Sequence, residues 1–362
     1  MTGPGSRRGE EAGLAPSHRA RRGPWGRQRG APQSAARTYA ALDLGTNNCR
    51  LLVARPANGG FQVVDAFSRI VRLGEGLGVT GRLSEAAMER TLTALRVCAD
   101  KLRRRRVERL RGVATEACRR AENGRAFLDR VSAETGIAFD IITPREEVDL
   151  ALLGCVSLIE GGADRLLVFD IGGGSTELGV VGVPGDGRLV LEGWASLPCG
   201  VVGLAEEFGG DRIVRGDFER MVARVVAHLA PLRERHGNGA GLQMVGTSGT
   251  VTTLAGLHLA LPAYDRRRVD GLRLDFAALS AVSERLLAMD YAARAALPCV
   301  GPERADMVVA GCAILEAIRR TWPVERLHVA DRGLREGILL RLMAADGAPC
   351  GCARLVEGGG TA

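Results

Sequence analysis

VFDIGGGSTELGVV, Val168 to Val181, is an apolar run that ends in Asp170. Three consecutive glycines follow, Gly172, Gly173 and Gly174, then Ser175, Thr176, Glu177 and a second apolar run. Adjacent glycines are costly in conformational entropy, so their place between two carboxylates calls for a use. The pattern reads strand, tight turn, strand. Glycine turns of this kind leave backbone N–H groups facing one concavity, which suits phosphate oxygens. Ser175 and Thr176 add hydroxyl donors. Asp170 and Glu177 are hard oxygen ligands of the kind Mg²⁺ takes beside phosphates. An ordinary glycine-rich hairpin is the competing reading.

The same plan occurs earlier, as AALDLGTNNCRLLVA over residues 40–54. There Asp43 ends the strand, and Thr46, Asn47 and Asn48 supply the polar turn. Two such matches at domain-length spacing count for more than either alone. Each therefore opens one half of a duplicated body. Strands are expected at 38–55 as a hairpin, 61–72, 137–142, 165–171, 177–183, 188–197, 243–247 and 325–329, and LRGVATEACRRA (110–121) is expected to give a short strand into a loop. Helices are expected near 84–104, 124–134, 145–159, 201–207, 215–235, 275–289, 303–321 and 333–343, with Ser84 capping the first. This alternation is α/β. We expect a basic disordered head at 1–37, α/β domains at 38–161 and 162–345 with Gly161-Gly162 between them, and a flexible tail at 346–362.

Composition excludes several classes. Of the net charge of +7, residues 1–37 carry +6, from eight Arg and two Glu, so the remainder is close to neutral. The aromatic fraction of 4% argues against a single-strand nucleic-acid binder, which stacks bases on aromatic rings. No apolar run is long enough to span a membrane, and the head has no apolar core of a secretory signal. The nine cysteines show no CxxC spacing and point to a reduced, cytoplasmic protein. Lys101 is the only lysine and follows no glycine loop, which rules out a P-loop nucleotide site.

Three further stretches carry chemistry. In TPREEVDLALLGC (143–155), Thr143, Pro144 and Glu146 fit a helix-capping box. That leaves Glu147, turned about 100° around the helix, as the free carboxylate and a candidate general base. GVATEACRRA (112–121) sets Thr115, Arg119 and Arg120 just after a strand, where an arginine clamps phosphate bidentately. VGTSGTVTTLAG (245–256) ends a strand and opens a helix, a second kind of anion-holding turn.

Together, LDLGTNNCRLLVA (42–54), VATEACR (113–119), REEVDLALLG (145–154), VFDIGGGSTEL (168–178), VGTSGTVTTLAG (245–256), ERADMVVAGCAILEAI (303–318) and VADRGLREGIL (329–339) resemble the Ppx/GppA phosphatase family. The resemblance implies the actin-like ATPase superfamily (ribonuclease H-like) fold, two related α/β domains with a cleft between them. It implies hydrolysis of a terminal phosphoanhydride with Mg²⁺ or Mn²⁺. By motif position Glu147 is the base, Arg119 the phosphate clamp, and Asp43, Asp170 and Glu177 the metal residues. Thr46, Asn47, Asn48 and Gly172 to Thr176 form the phosphate loops. Polyphosphate and the guanosine pentaphosphate pppGpp are the substrates implied, and a homodimer the assembly. None of the five histidines precedes Asp, so the chain looks like the short, two-domain form and not like the longer relatives with a His-Asp helical region. An actin-fold kinase and a non-catalytic (p)ppGpp-binding regulator are the rival readings.

Overall fold

The structure, a computed structural model, describes Met1 and residues 37–57, 59–159, 163–185, 188–239, 241–348 and 354–357. Of the expectations above, those for residues 2–36, for Gly161-Gly162 and for Cys350 and Cys352 lie outside the described residues.

The first sheet begins with an antiparallel meander of β1 (Tyr39–Leu44), β2 (Asn48–Ala57) and β3 (Gly60–Ile70). β1 is buried almost throughout, as its apolar sequence demands of a central strand, whereas β3 is half-buried to exposed along its length. Helices α1 (Leu77–Thr80) and α2 (Glu85–Arg104) lead to β4 (Arg109–Ala114), which lies parallel to β1. Ser84 caps α2, its hydroxyl accepting from the Ala87 amide at 3.2 Å, as its residue type predicts. Ala87, Leu92, Leu95 and Cys98 form the buried stripe of α2 in the core beneath β1 and β2. Then come α3 (Glu116–Arg120), α4 (Gly124–Thr135) and β5 (Phe139–Ile141), parallel to β4. The sheet order is β3-β2-β1-β4-β5.

After α5 (Pro144–Cys155) and a 3₁₀ turn, the plan repeats. β6 (Arg165–Ile171), β7 (Thr176–Gly182) and β8 (Arg188–Leu197) form a second antiparallel meander. α6 (Val201–Phe208) and α7 (Arg215–His236) precede β9 (Leu242–Thr247), parallel to β6. α8 (Ser248–His258), α9 (Arg266–Val269), β10 (Arg273–Asp275), α10 (Phe276–Ala288), α11 (Tyr291–Ala295) and α12 (Val308–Thr321) follow. β11 (Arg326–Ala330) then runs parallel to β9, before α13 (Leu334–Ala345) and β12 (Arg354–Glu357). The order is β10-β11-β9-β6-β7-β8-β12. Without its two edge strands this sheet repeats the first: third, second, first, fourth, fifth, with only the second strand antiparallel to the rest. That duplicated arrangement is the actin-like, ribonuclease H-like fold.

Two helices lie between the sheets. Leu334, Ile338, Leu339 and Met343 of α13 pack on Tyr39, Ala41 and Leu52 of the first sheet. Val148 and Leu152 of α5 pack on Val168, Val181 and Leu191 of the second. The two helices cross with their backbones nearly touching, because a Cβ at Gly337 would strike the Leu150 carbonyl and one at Gly154 the Gly333 carbonyl. The last helix of the second half thus serves the sheet of the first.

Four local readings change. The segment after β4 is helical, not a loop. α12 starts at Val308 rather than 303, because Glu303 to Met307 are turns. The expected flexible tail contains β12, which extends the sheet beside β8. The short elements α1, α9, α11 and β10 carry too little periodicity to announce themselves. Among the described residues no helix is long and apolar enough to cross a membrane, and the seven described cysteines are free and buried.

Candidate active site

β1 and β6 each carry their aspartate in the penultimate position, and each hairpin turn closes with the same bond. The Gly45 amide donates to the Asn48 carbonyl at 2.9 Å, and the Gly172 amide to the Ser175 carbonyl at 2.9 Å. The two turns face each other. A Cβ on Gly173 would lie 3.0 Å from Asn47 Cβ and 3.1 Å from Thr46 Cβ, and one on Gly174 would lie 3.0 Å from Glu116 Cγ. Gly172, Gly173 and Gly174 all lack positive φ. The glycines therefore serve close approach between the duplicated turns, not an unusual backbone conformation.

Around them opens a cleft continuous with solvent. Eleven of the thirteen expected residues line it: Asp43, Thr46, Asn47, Asn48, Glu147, Asp170, Gly172, Gly173, Gly174, Ser175 and Glu177. The amides of Thr46, Asn47, Gly173, Gly174 and Ser175 have no backbone acceptor among the described residues. Thr46 Oγ1, Asn47 Oδ1 and Asn48 Oδ1 are buried without a hydrogen-bond partner. Buried polar atoms are costly unless paired, so the turns present a set of groups awaiting a ligand. The N-terminal ends of α8, through Thr247 to Thr250, and of α13, through Arg332 to Glu336, complete the wall. Ser248, at the first position of α8, has φ 93° and a buried, unpartnered Oγ. A non-glycine residue in that conformation is strained, and the strain sits on the cleft.

Residues 52–346 match the model of the Ppx/GppA phosphatase family. The chain belongs to that family. It is 33% identical to exopolyphosphatase 2 of Mycobacterium tuberculosis over 326 residues, which cover 84% of this chain and 98% of the relative. A solved exopolyphosphatase-like protein superposes with a TM-score of 0.78 at 31% identity, covering 85% of this chain and 99% of its own. The Aquifex aeolicus member of the Ppx/GppA family superposes with a TM-score of 0.70 at 29% identity, covering 86% and 98%. Membership makes the chain a hydrolase of phosphoanhydride bonds.

Two expected residues stand off the cleft of this Ppx/GppA phosphatase. Thr176 is fully buried, its hydroxyl donating to the Cys199 carbonyl at 2.6 Å. Side chains alternate along a strand, so Ser175 and Glu177 face the cleft and Thr176 faces away. Arg119 sits behind Glu147. It donates to the Ile142 carbonyl at 2.8 Å, to Glu116 at 2.7 Å and to Glu147 at 3.4 Å.

Glu147 lies in the first turn of α5. Thr143 caps the helix through the Glu146 amide at 3.1 Å. The Glu146 carboxylate does not close the box; it pairs with Arg111 at 2.6 Å and with Arg341 at 3.4 Å, because two cations outcompete one amide. Arg145 pairs with Asp149 at 3.1 Å, leaving Glu147 to Arg119.

Six carboxylates line the cleft, and four of them, Asp43, Glu147, Asp170 and Glu177, are raised, by burial first. Burial first, then the charge of Glu177, pushes Glu147 well above the usual carboxylate range, against the pull of Arg119. Burial pushes Glu177 up to about 7, while hydroxyl bonds from Ser175 and Ser196 oppose. Asp170 rises to about 6 by burial, opposed chiefly by Arg50. Asp43 rises for the same reason, opposed by Arg50 and Arg335.

Sequence reasoning missed the cations. Arg50, Arg304 and Arg335 line the cleft. One signal was available for Arg50: it stands opposite Asp43 in the β1–β2 register, where Glu177 stands opposite Asp170. Among the described residues no three Asp, Glu, His or Cys side chains converge as a ready-made metal centre. The acidic set suits a hard divalent ion held by one or two carboxylates, with water and phosphate completing its shell, which is the habit of Mg²⁺.

Proposed function

We propose that this chain is an exopolyphosphatase that releases the terminal phosphate of inorganic polyphosphate. The observation that carries the reading is Glu147, a buried carboxylate that shares one cleft with two turns whose backbone amides have no backbone acceptor among the described residues. The terminal phosphoryl group would rest on the Thr46–Asn48 and Gly172–Ser175 turns. Water attacks its phosphorus in line, the bond to the bridging oxygen breaks, and the shortened chain leaves. Glu147 orients the water and takes its proton. A raised affinity for protons suits that task, since a base works best with a pKa near the working pH.

Arg50 and Arg304 form no ion pair among the described residues. Arg304 is depressed by burial and next by the charge of Arg50. Two cations that face one cleft outside any direct ion pair are placed to take the charge that spreads over the phosphoryl oxygens. A divalent ion, Mg²⁺ or Mn²⁺, held by one or two of Asp43, Asp170 and Glu177, would neutralise phosphate charge there. Arg119, expected as a clamp, fits better as the group that holds Glu147 in place.

The choice of polyphosphate over pppGpp is supported by the name of the curated relative. The test is phosphate release from both substrates with Mg²⁺, in wild type and Glu147→Gln. We expect polyphosphate to dominate, and the variant to lose roughly 10²- to 10⁴-fold in rate while still binding polyphosphate. Release mainly from pppGpp overturns the substrate; an undiminished rate in the variant overturns the base.

A further inference from the structure

Arg72 lies outside the cleft, yet it touches both of its sides. It follows β3 in the first half of the chain. Its amide donates to the Asn47 carbonyl at 3.1 Å, as does that of Val71 at 2.8 Å, so this backbone supports the first turn directly. Its guanidinium crosses to the second half. There it donates to the Glu303 carbonyl at 3.1 Å and pairs with both oxygens of Asp306, at 3.1 and 3.0 Å. The segment between those two partners carries Arg304, which lines the cleft and donates to Thr253 Oγ1 at 3.2 Å.

The geometry is built rather than incidental. Arg72 has φ 47°, a left-handed conformation that non-glycine residues rarely adopt. Arg90 of α2 holds it from behind, donating to the Val71 carbonyl at 3.1 Å and the Arg72 carbonyl at 3.3 Å. A second bond joins the halves beside it, from the Gly76 amide to Glu206 at 3.0 Å. The turns at Glu303 to Met307, where a helix was expected, are the stretch that the guanidinium grips.

We propose that Arg72 is a positioning residue for the phosphate site, a strut that ties the first turn to the arm bearing Arg304 and so fixes their separation across the cleft. The role of Arg304 toward phosphate rests on the function proposed above; the strut itself does not. Because the Arg72–Asp306 pair is partly exposed, at 32% and 26%, its worth to global stability is small. Its effect belongs in substrate affinity and in the order of the Arg304 arm.

The experiment compares Arg72→Asn, Arg72→Asp, Asp306→Arg and the double exchange of Arg72→Asp with Asp306→Arg. Asn and Asp tolerate the left-handed conformation, so the backbone is spared. We expect Arg72→Asn to raise KM for polyphosphate roughly tenfold, the loss of one charge-assisted contact, with kcat changed less. Amide exchange over residues 303–307 should quicken, since local order there is lost without global unfolding. The double exchange should recover part of the loss that each single charge reversal causes. Unchanged KM and unchanged exchange in Arg72→Asn overturn the proposal, as does a double exchange no better than the worse single variant. If wild type hydrolyses neither polyphosphate nor pppGpp, the functional reading fails, and amide exchange with the charge exchange still decides the strut.

Discussion

Asp170→Asn should make the metal-free protein more stable at pH 8 while abolishing its turnover. Asp170 lies at the end of the central strand β6, and burial lifts its carboxyl from 3.8 to about 6, with Asp43 adding repulsion and Arg50 opposing. A rise of roughly 2 units corresponds to about 3 kcal/mol against the ionised form. The residue is only partly buried by area, so that figure is a ceiling, and a gain of roughly 1–3 kcal/mol is expected on removing the charge. Its pH dependence has a definite sign. Below pH 3.8 the group is protonated in both folded and unfolded chains and costs nothing. Between 3.8 and about 6 the folded state binds the proton more tightly, so stability falls as pH rises. Above that window the whole penalty is present. Asparagine, neutral and of the same shape, escapes it at every pH. Urea unfolding of both proteins in EDTA at pH 4, 6 and 8 measures the difference, which should be near zero at pH 4 and largest at pH 8. A variant less stable than wild type at pH 8, or a difference that does not vary with pH, would refute the reasoning. Added Mg²⁺ should then stabilise wild type more than the variant, because binding to the folded state alone raises its stability.

Gly174→Ala pushes a methyl to 3.0 Å from Glu116 Cγ and against Thr46; we expect a loss of about 1–3 kcal/mol by overpacking and a raised KM, checked by urea midpoint and kinetics. Arg119→Gln removes the cation that lowers Glu147, so the acidic limb of the kcat/KM profile should move to higher pH. A rise in KM with an unmoved limb would return Arg119 to the role of clamp. Glu146→Gln breaks the pairs with Arg111 and Arg341 and should cost about 1 kcal/mol or less with turnover intact. Loss of turnover at normal stability would exchange the roles of Glu146 and Glu147.

The two hairpins were legible because each is a local event: an apolar strand, an aspartate, a turn that only small or polar residues allow, a second strand. Register then brings Asp43, Asp170 and Glu177 to one end of their sheets without further information. Glu147 was legible because helix geometry turns it about 100° from Glu146, although Glu146 is occupied by Arg111 and Arg341 and not by the cap expected of it. What sequence did not reveal depends on approach between distant segments. Arg50 and Arg304 are 254 positions apart and meet only across the cleft. Thr176 was assigned to the cleft by motif membership, and strand alternation would have placed it on the opposite face. The start of α12 was read too early because Arg304 and Asp306 are good helix formers or neutral, while their tertiary partners, Thr253 and Arg72, hold them in turns.

The duplication also explains why the site is not symmetric. Asp43 and Asp170 occupy the same place in their sheets, and the residue across the hairpin is the same number of positions on in each half. In the first half that residue is Arg50 and in the second Glu177. A strictly repeated carboxylate would put another acid beside Asp43, Asp170, Glu147 and Glu177, which burial and neighbouring carboxylates already raise. A repeated arginine would remove the carboxylate whose charge helps keep Glu147 proton-seeking. Divergence at this one register position gives the cleft an acidic side, suited to a metal and a base, and a basic group suited to phosphate oxygens. The glycines diverged in the same way. Only one of two apposed turns needs to be free of side chains for the pair to close, and the second half supplies it at Gly173 and Gly174 while the first keeps Thr46 and Asn47 as donors.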